Sequence, residues 1–249
     1  MIENKRRELE KNKFWFKNKR VKTIFKPRIK EIVTILEHKG IKFETLNALE
    51  MFGRAGDWVT TLYGDKVRSL EVWEIDKKWE RKLRKNLPYA TIRILDSIYT
   101  VKQNKNLPKF DLIVIDNPMN VYGPKNNPTK YCEHFDIIKY VGNLIDNEAI
   151  IIFNVNKKPF NYEKSRLWKK RRECFYGAID ASNISLEFLF NFYKELFSNI
   201  GFTTKFHLNI ERHMPHLDYF VYKLKRMKKT KTIDARDWIS LYNLYKYKR

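Results

Sequence analysis

Four short apolar runs in the first half of the chain each end on a carboxylic acid: TLNALE at 45–50, SLEVWEID at 69–76, ATIRILD at 90–96 and FDLIVID at 110–116. A fifth run is EAIIIFNVN at 148–156, apolar from Ala149 to Phe153. Runs of this length, rich in Val, Ile and aromatic residues, read as buried strands. Between them lie helical patterns. KPRIKEIVTILEHKG places Ile29, Ile32, Val33, Ile35 and Leu36 at helical spacing and stops at Gly40. DWVTTLYG predicts a short helix with Asp57 as N-cap, and KKWERKLRKNLP a charged helix ended by Pro88. HFDIIKYVGNLI, with Phe135 and Ile138 on a core face, and LEFLFNFYKELFSNIG predict two more helices. FTTKFHLNIERH and LDYFVYKLKR close the series as a hairpin. Strands alternating with helices imply a parallel sheet covered on both faces. In such a sheet the strand ends share one edge, and ligands bind there. One acid at a strand end is usually a helix cap. Four on consecutive strands are hard to explain as caps alone.

The loops after these strands carry the candidate chemistry. Glu50 is followed by Met51-Phe52-Gly53-Arg54-Ala55-Gly56, where glycines let the backbone turn tightly beside a ligand. The spacing is neither that of a dinucleotide-binding fingerprint nor that of a P-loop. Glu74 and Asp76 end the second strand, where an acid can accept from ribose hydroxyls. Asp96 and Asp116 end the third and fourth.

With these residues in place, the chain resembles the class I S-adenosylmethionine-dependent methyltransferases over about Lys26 to Arg226. The resemblance implies an α/β fold: a doubly wound, Rossmann-like, seven-stranded, mostly parallel sheet with an antiparallel edge strand. It implies S-adenosylmethionine as cofactor. Glu50, Phe52, Gly53 and Gly56 would surround its amino-acid portion. Glu74 would hold the ribose, Ile75 would lie against the adenine, and Asp96 with Ser97 would meet the adenine amino group. The family's central loop glycine is Arg54 here.

The fourth strand end is where this family keeps catalytic residues. Members that methylate exocyclic amines of nucleobases carry Asn, Asp or Ser, then Pro-Pro and an aromatic. An amide or carboxylate oxygen with a backbone carbonyl orients the amine, proline sets the turn, and the aromatic stacks on the base. Asp116-Asn117-Pro118-Met119-Asn120 matches in part, and Tyr122 can supply the stacking face. Methylation of pyrimidine C5 needs a cysteine nucleophile beside a proline in this loop, and Pro118 is followed by Met119.

Charge bears on partners. Lys and Arg number 51 against 29 Asp and Glu, a net +22, which points to a nucleic acid first and an anionic membrane surface second. A lysine-rich proteome is the plainer explanation. The run Lys169-Lys170-Arg171-Arg172 is the candidate phosphate-binding patch, set in a basic segment at 156–184 read as an insertion over the sheet edge. Residues 1–25, with KFWFKNKR, read as a basic arm and 227–249 as a basic tail around a domain at 26–226. Two cysteines, Cys132 and Cys174, make no disulfide framework, and His134, His213 and His216 match no metal spacing, so no metal is expected. His134 is placed near the substrate end. With neither a signal peptide nor a bilayer-length apolar run, a cytoplasmic, soluble protein is expected. The functional expectation is a methyltransferase of DNA or RNA. The alternatives are a protein or small-molecule methyltransferase, or a non-catalytic nucleic-acid-binding protein on the same fold.

Overall fold

The computed structural model describes residues 27–228 except 104–105, 160–161, 178–179 and 213–215. The arm, the C-terminal tail beyond Lys228 and His213 therefore lie outside the described residues. Seven strands form one sheet in the order β3-β2-β1-β4-β7-β9-β8. They are β1 (Asn47–Glu50), β2 (Ser69–Glu74), β3 (Thr91–Ile94), β4 (Leu112–Ile115), β7 (Glu148–Asn156), β8 (Phe202–Glu211) and β9 (Leu217–Arg226). β5 (Val121–Tyr122) and β6 (Tyr131–Cys132) form a separate two-stranded ribbon.

β1 pairs in parallel with both β2 and β4, β2 with β3, and β4 with β7. β9 runs antiparallel to β7 and to β8, so the terminal hairpin forms one edge of the sheet. This is the expected doubly wound, mostly parallel arrangement. The chain leaves β1 towards β2 on one side and returns through β4 on the other. The crevice between β1 and β4 is therefore the switch point where ligands bind.

Side chains alternate across a strand, and each alternate set feeds its own core. Leu49, Ile113, Ile115, Ile151 and Phe153 face one cluster; Ala48, Leu112, Val114, Ile150 and Ile152 face the other. Helix α1 (Pro27–His38) inserts Ile32, Val33 and Leu36 into the second, and α2 (Glu80–Asn86) adds Leu83. Helix α3 (Ser97–Gln103), which the sequence patterns did not suggest, α4 (Phe135–Ile138), α5 (Arg166–Tyr176) and α6 (Leu186–Asn199) supply the first.

Two helix expectations change. The DWVTTLYG segment makes only a 3-10 turn at Val59–Leu62, with Trp58 rather than Asp57 at its N-cap. HFDIIKYVGNLI breaks into α4 and a 3-10 turn at Val141–Leu144, with Gly142 packed against Phe202 at the break. The basic segment after β7 holds α5, whose Trp168, Phe175 and Tyr176 belong to the core.

Candidate active site

A cleft of about 810 Å³ opens over the ends of β1, β2, β3 and β4, within the size range of small-ligand sites. Glu50, Phe52, Gly53, Glu74, Ile75, Asp96, Ser97, Asp116, Asn117, Pro118 and Tyr122 all line it. Gly56 does not line the cleft, but its turn shapes the wall. Its N–H donates to the Gly53 carbonyl at 2.8 Å, its φ is 66°, and a Cβ there would press on Leu87 at 2.7 Å. At Gly53 a Cβ would strike the Val72 side chain. Both glycines serve the packing of loop against strand and helix.

Arg54 keeps the loop on its path by adopting φ 47°, the left-handed conformation a glycine takes without strain. Its backbone N–H donates to Glu74 Oε2 at 2.7 Å, and the Asp76 N–H donates to Oε1 at 2.8 Å. Two backbone donors thus orient the Glu74 carboxylate, while burial raises its pKa above the ordinary carboxylate value. The Arg54 guanidinium lies 5.4 Å from the Trp79 ring, which Lys78 and Lys82 also approach.

Glu50 sits deepest. Tyr63 donates to its Oε2 at 2.8 Å and Thr60 to the same oxygen at 3.3 Å. Oε1 is buried with no hydrogen-bond partner. Loss of solvent, reinforced by the negative charge of Asp116, pushes the Glu50 pKa up to about 8. Across the cleft, Asp96 Oδ1 accepts from the Tyr99 N–H at 3.0 Å, and Ser97 donates to the Met51 carbonyl at 2.7 Å. These bonds tie the start of α3 to the end of β1.

At the fourth strand end, Asn154 of β7 holds the turn. Its Oδ1 accepts from the Asn117 N–H at 3.1 Å, and its Nδ2 donates to the Asn117 carbonyl and to Asp116 Oδ1, each at 3.0 Å. Asn117 is 3% exposed. Its Nδ2 donates to the Pro118 carbonyl at 3.0 Å, and its Oδ1 is buried without a partner. Asp116 is held further by Tyr219, which donates at 3.3 Å, and by Arg212 at 3.6 Å. Desolvation raises its pKa above the usual carboxylate range. Tyr122 presents its ring edge-on to Phe52, with centroids 5.8 Å apart.

Sequence reasoning missed Asn154, Arg212 and Tyr131, which also line the cleft. Asn154 had a signal: an amide that directly follows the apolar run Ala149–Phe153 near the end of the strand. Arg212 and Tyr131 had none, Arg212 being a single polar residue just past β8 and Tyr131 lying in the two-residue strand β6.

Two expectations fail. Arg172 is fully buried, so it is not part of a phosphate-binding patch. It pairs with Glu133 at 2.7 Å and donates to the carbonyls of Asn156 and Ala181. Of the same run, Lys170 is exposed while Lys169 and Arg171 are half-buried. His134 is also fully buried, bonded through Nε2 to the Tyr193 hydroxyl at 2.5 Å, and lies behind the cleft rather than in it. Among the described residues no group of three or more His, Cys, Asp or Glu is placed to hold a metal, and no helix is long and apolar enough to cross a membrane.

No family model matches the chain, and no curated protein matches it. Among solved structures, the N-methyltransferase NodS of Bradyrhizobium japonicum WM9, in complex with S-adenosyl-L-homocysteine, is similar at a TM-score of 0.49 and 14% identity. That match covers 82% of this chain and 89% of that one. Magnesium protoporphyrin IX methyltransferase of Synechocystis PCC 6803, with bound S-adenosylhomocysteine, is similar at a TM-score of 0.47 and 14% identity, covering 80% and 81%. At these identities the likeness is one of fold.

Proposed function

We propose that this protein is an S-adenosylmethionine-dependent methyltransferase that acts on DNA or RNA, at an exocyclic amine of a base. The observation that carries this reading is the convergence of Glu50, Glu74, Asp96 and Asn117 on one cleft at the switch point. Those residues fit the cofactor. Glu74, oriented by two backbone donors, offers its remaining lone pairs to a ribose diol. Glu50, lining the same cleft, would pair with an ammonium group, whose charge would draw its raised pKa back down. Asp96 and Ile75 flank the place for the base.

When bound, the cofactor supplies a methyl group already activated on a sulfonium. The protein therefore has mainly to align donor and acceptor. Asn117 Oδ1 and the carbonyls of the turn accept the hydrogens of an incoming amine and aim its lone pair. Asn154 holds the Asn117 backbone at both its N–H and its carbonyl, so the acceptor oxygen is fixed in advance. Tyr122 and Phe52 offer aromatic surface for a flat substrate ring. Asn117 and the turn would thus set the amine's lone pair towards the methyl group that the bound cofactor would supply, and the amine's proton would leave to solvent.

The nucleic-acid assignment rests on net charge: residues 1–26 alone hold ten Lys and Arg against three Glu. A small-molecule or protein substrate is favoured by one observation. Apart from the acids given to the cofactor, the cleft is lined by Asp57 and Asp116, which suit a cationic or neutral amine better than a polyanion. Labelled methyl transfer offered in parallel to DNA, RNA, protein and small amines decides between them. Calorimetry with S-adenosylhomocysteine tests the cofactor. If wild type does not bind it, the enzyme reading is wrong and a non-catalytic nucleic-acid-binding role stands.

A further inference from the structure

The chain after the Asn117-Pro118 turn folds back as the β5–β6 ribbon and attaches itself to the other half of the cleft. Tyr131, 6% exposed, donates its hydroxyl to Asp96 Oδ2 at 2.5 Å. Lys130 Nζ reaches the same oxygen at 3.2 Å and lies 4.7 Å from the Tyr131 ring. Capping of α3 uses only Oδ1, through the Tyr99 N–H, so the ribbon's hold on Oδ2 is not part of the cap. A carboxylate oxygen has about two acceptor sites. Oδ2 is thus filled by the ribbon and Oδ1 retains one. Any base amine directed at Asp96 meets a group that the acceptor loop already grips.

The other end of the ribbon is fixed at the acceptor side. Tyr122 donates to the Glu133 carbonyl at 2.8 Å and packs on Phe52; the Glu133 N–H donates to the Asn120 carbonyl at 3.0 Å. The ladder has only two residue pairs, Val121–Cys132 and Tyr122–Tyr131. A pairing that short does not hold itself together in water. Its position depends on these anchors, and the bonds of Tyr131 and Lys130 to Asp96 cross the cleft, the buried Tyr131 hydroxyl making the shorter one.

We propose that Tyr131 is a positioning residue that ties the acceptor loop to the nucleoside end of the cleft, so that occupancy at Asp96 and placement of Asn117 are set together. The proposal rests on reading the cleft as a cofactor site. It is tested on the full chain by hydrogen–deuterium exchange of the backbone at 118–132, in wild type, Tyr131→Phe, Asp96→Asn and the double variant. Asparagine keeps the helix cap. Without ligand, each single change speeds exchange of the ribbon about tenfold, and the double does no more than either single. With S-adenosylhomocysteine, ribbon exchange slows in wild type but stays fast in Tyr131→Phe, although calorimetry still detects binding to that variant. Wild-type exchange in ligand-free Tyr131→Phe, or additive effects in the double variant, overturns the proposal. If wild type binds no S-adenosylhomocysteine, the cofactor reading falls separately, and the ligand-free comparison still decides whether Tyr131 holds the ribbon.

Discussion

The Arg54 N–H donates to Glu74 Oε2 at 2.7 Å while Arg54 itself stands at φ 47°. The loop after β1 thus holds the carboxylate after β2, and an arginine does so in a conformation that favours glycine. Arg54→Gly relieves the left-handed strain but frees the unfolded chain, two effects of about 1 kcal/mol that oppose each other. Urea unfolding should show a net change under about 1 kcal/mol for Arg54→Gly. Arg54→Val, β-branched at positive φ, should lose about 1–3 kcal/mol.

Glu74→Ala removes the acceptor of two backbone N–H groups at the ribose position. Calorimetry should show S-adenosylhomocysteine affinity falling by about tenfold or more. Unchanged affinity would mean that the cleft does not use Glu74 for the ligand.

Asn117→Ala should separate chemistry from binding. Asn117 Oδ1 has no partner in the fold, so its loss should leave S-adenosylhomocysteine affinity within about threefold. Methyl transfer should fall by roughly a hundredfold or more. Asn154→Leu should impair the same step by a different route and also destabilise the fold by about 1–3 kcal/mol, since it strips partners from the buried Asn117 backbone and from Asp116.

Arg172→Ala should cost about 3–5 kcal/mol, because it leaves Glu133 buried without its ion-pair partner. Lys170→Ala, on the exposed side of the same helix, should change stability by less than about 0.5 kcal/mol. Urea titration of the two variants checks the contrast.

Two buried groups shape the pH dependence in opposite directions. Burial lifts Glu50 from 4.5 to about 8, so the folded state keeps a proton that the unfolded state has lost. Its contribution is complete below pH 4.5 and is lost as pH rises towards 8. Burial lowers His134 from 6.5 to about 3, so its contribution is complete above pH 6.5 and is lost as pH falls towards 3. Between 4.5 and 6.5 the two slopes oppose, and the joint contribution of Glu50 and His134 should be nearly level there. It should fall from 6.5 to 8. Glu50→Gln, which mimics the protonated carboxyl, should flatten that alkaline fall, as measured by urea unfolding at a series of pH values.

Much of the fold was legible because local pattern and long-range arrangement agree. Apolar runs such as Leu112–Ile115 can be buried on both faces only in a covered parallel sheet, and parallel strands must present their final residues at one edge. Glu50, Glu74, Asp96 and Asp116 therefore had to meet. Helix α3 was not legible, since SIYTVKQ has too few apolar positions to show a period. The path of the loop at Arg54 was not legible either: side-chain identity argued against a left-handed turn that the surrounding bonds impose.

The amino-acid order by itself determined the layering, the strand direction and the edge where the chemistry gathers, because each follows from side-chain periodicity. Tertiary structure alone decided which polar groups face the cleft. Successive helix residues turn by about 100°, so the four of Lys169–Arg172 sweep most of the way round α5 and cannot all face solvent. The packing of α5 on Glu133, Trp168 and Tyr176 sent Arg172 inward. Likewise Asp96 met Tyr131 35 residues away, and Asn117 met Asn154 37 residues away. Such pairings exist only once non-adjacent segments are brought together, and no local pattern encodes them.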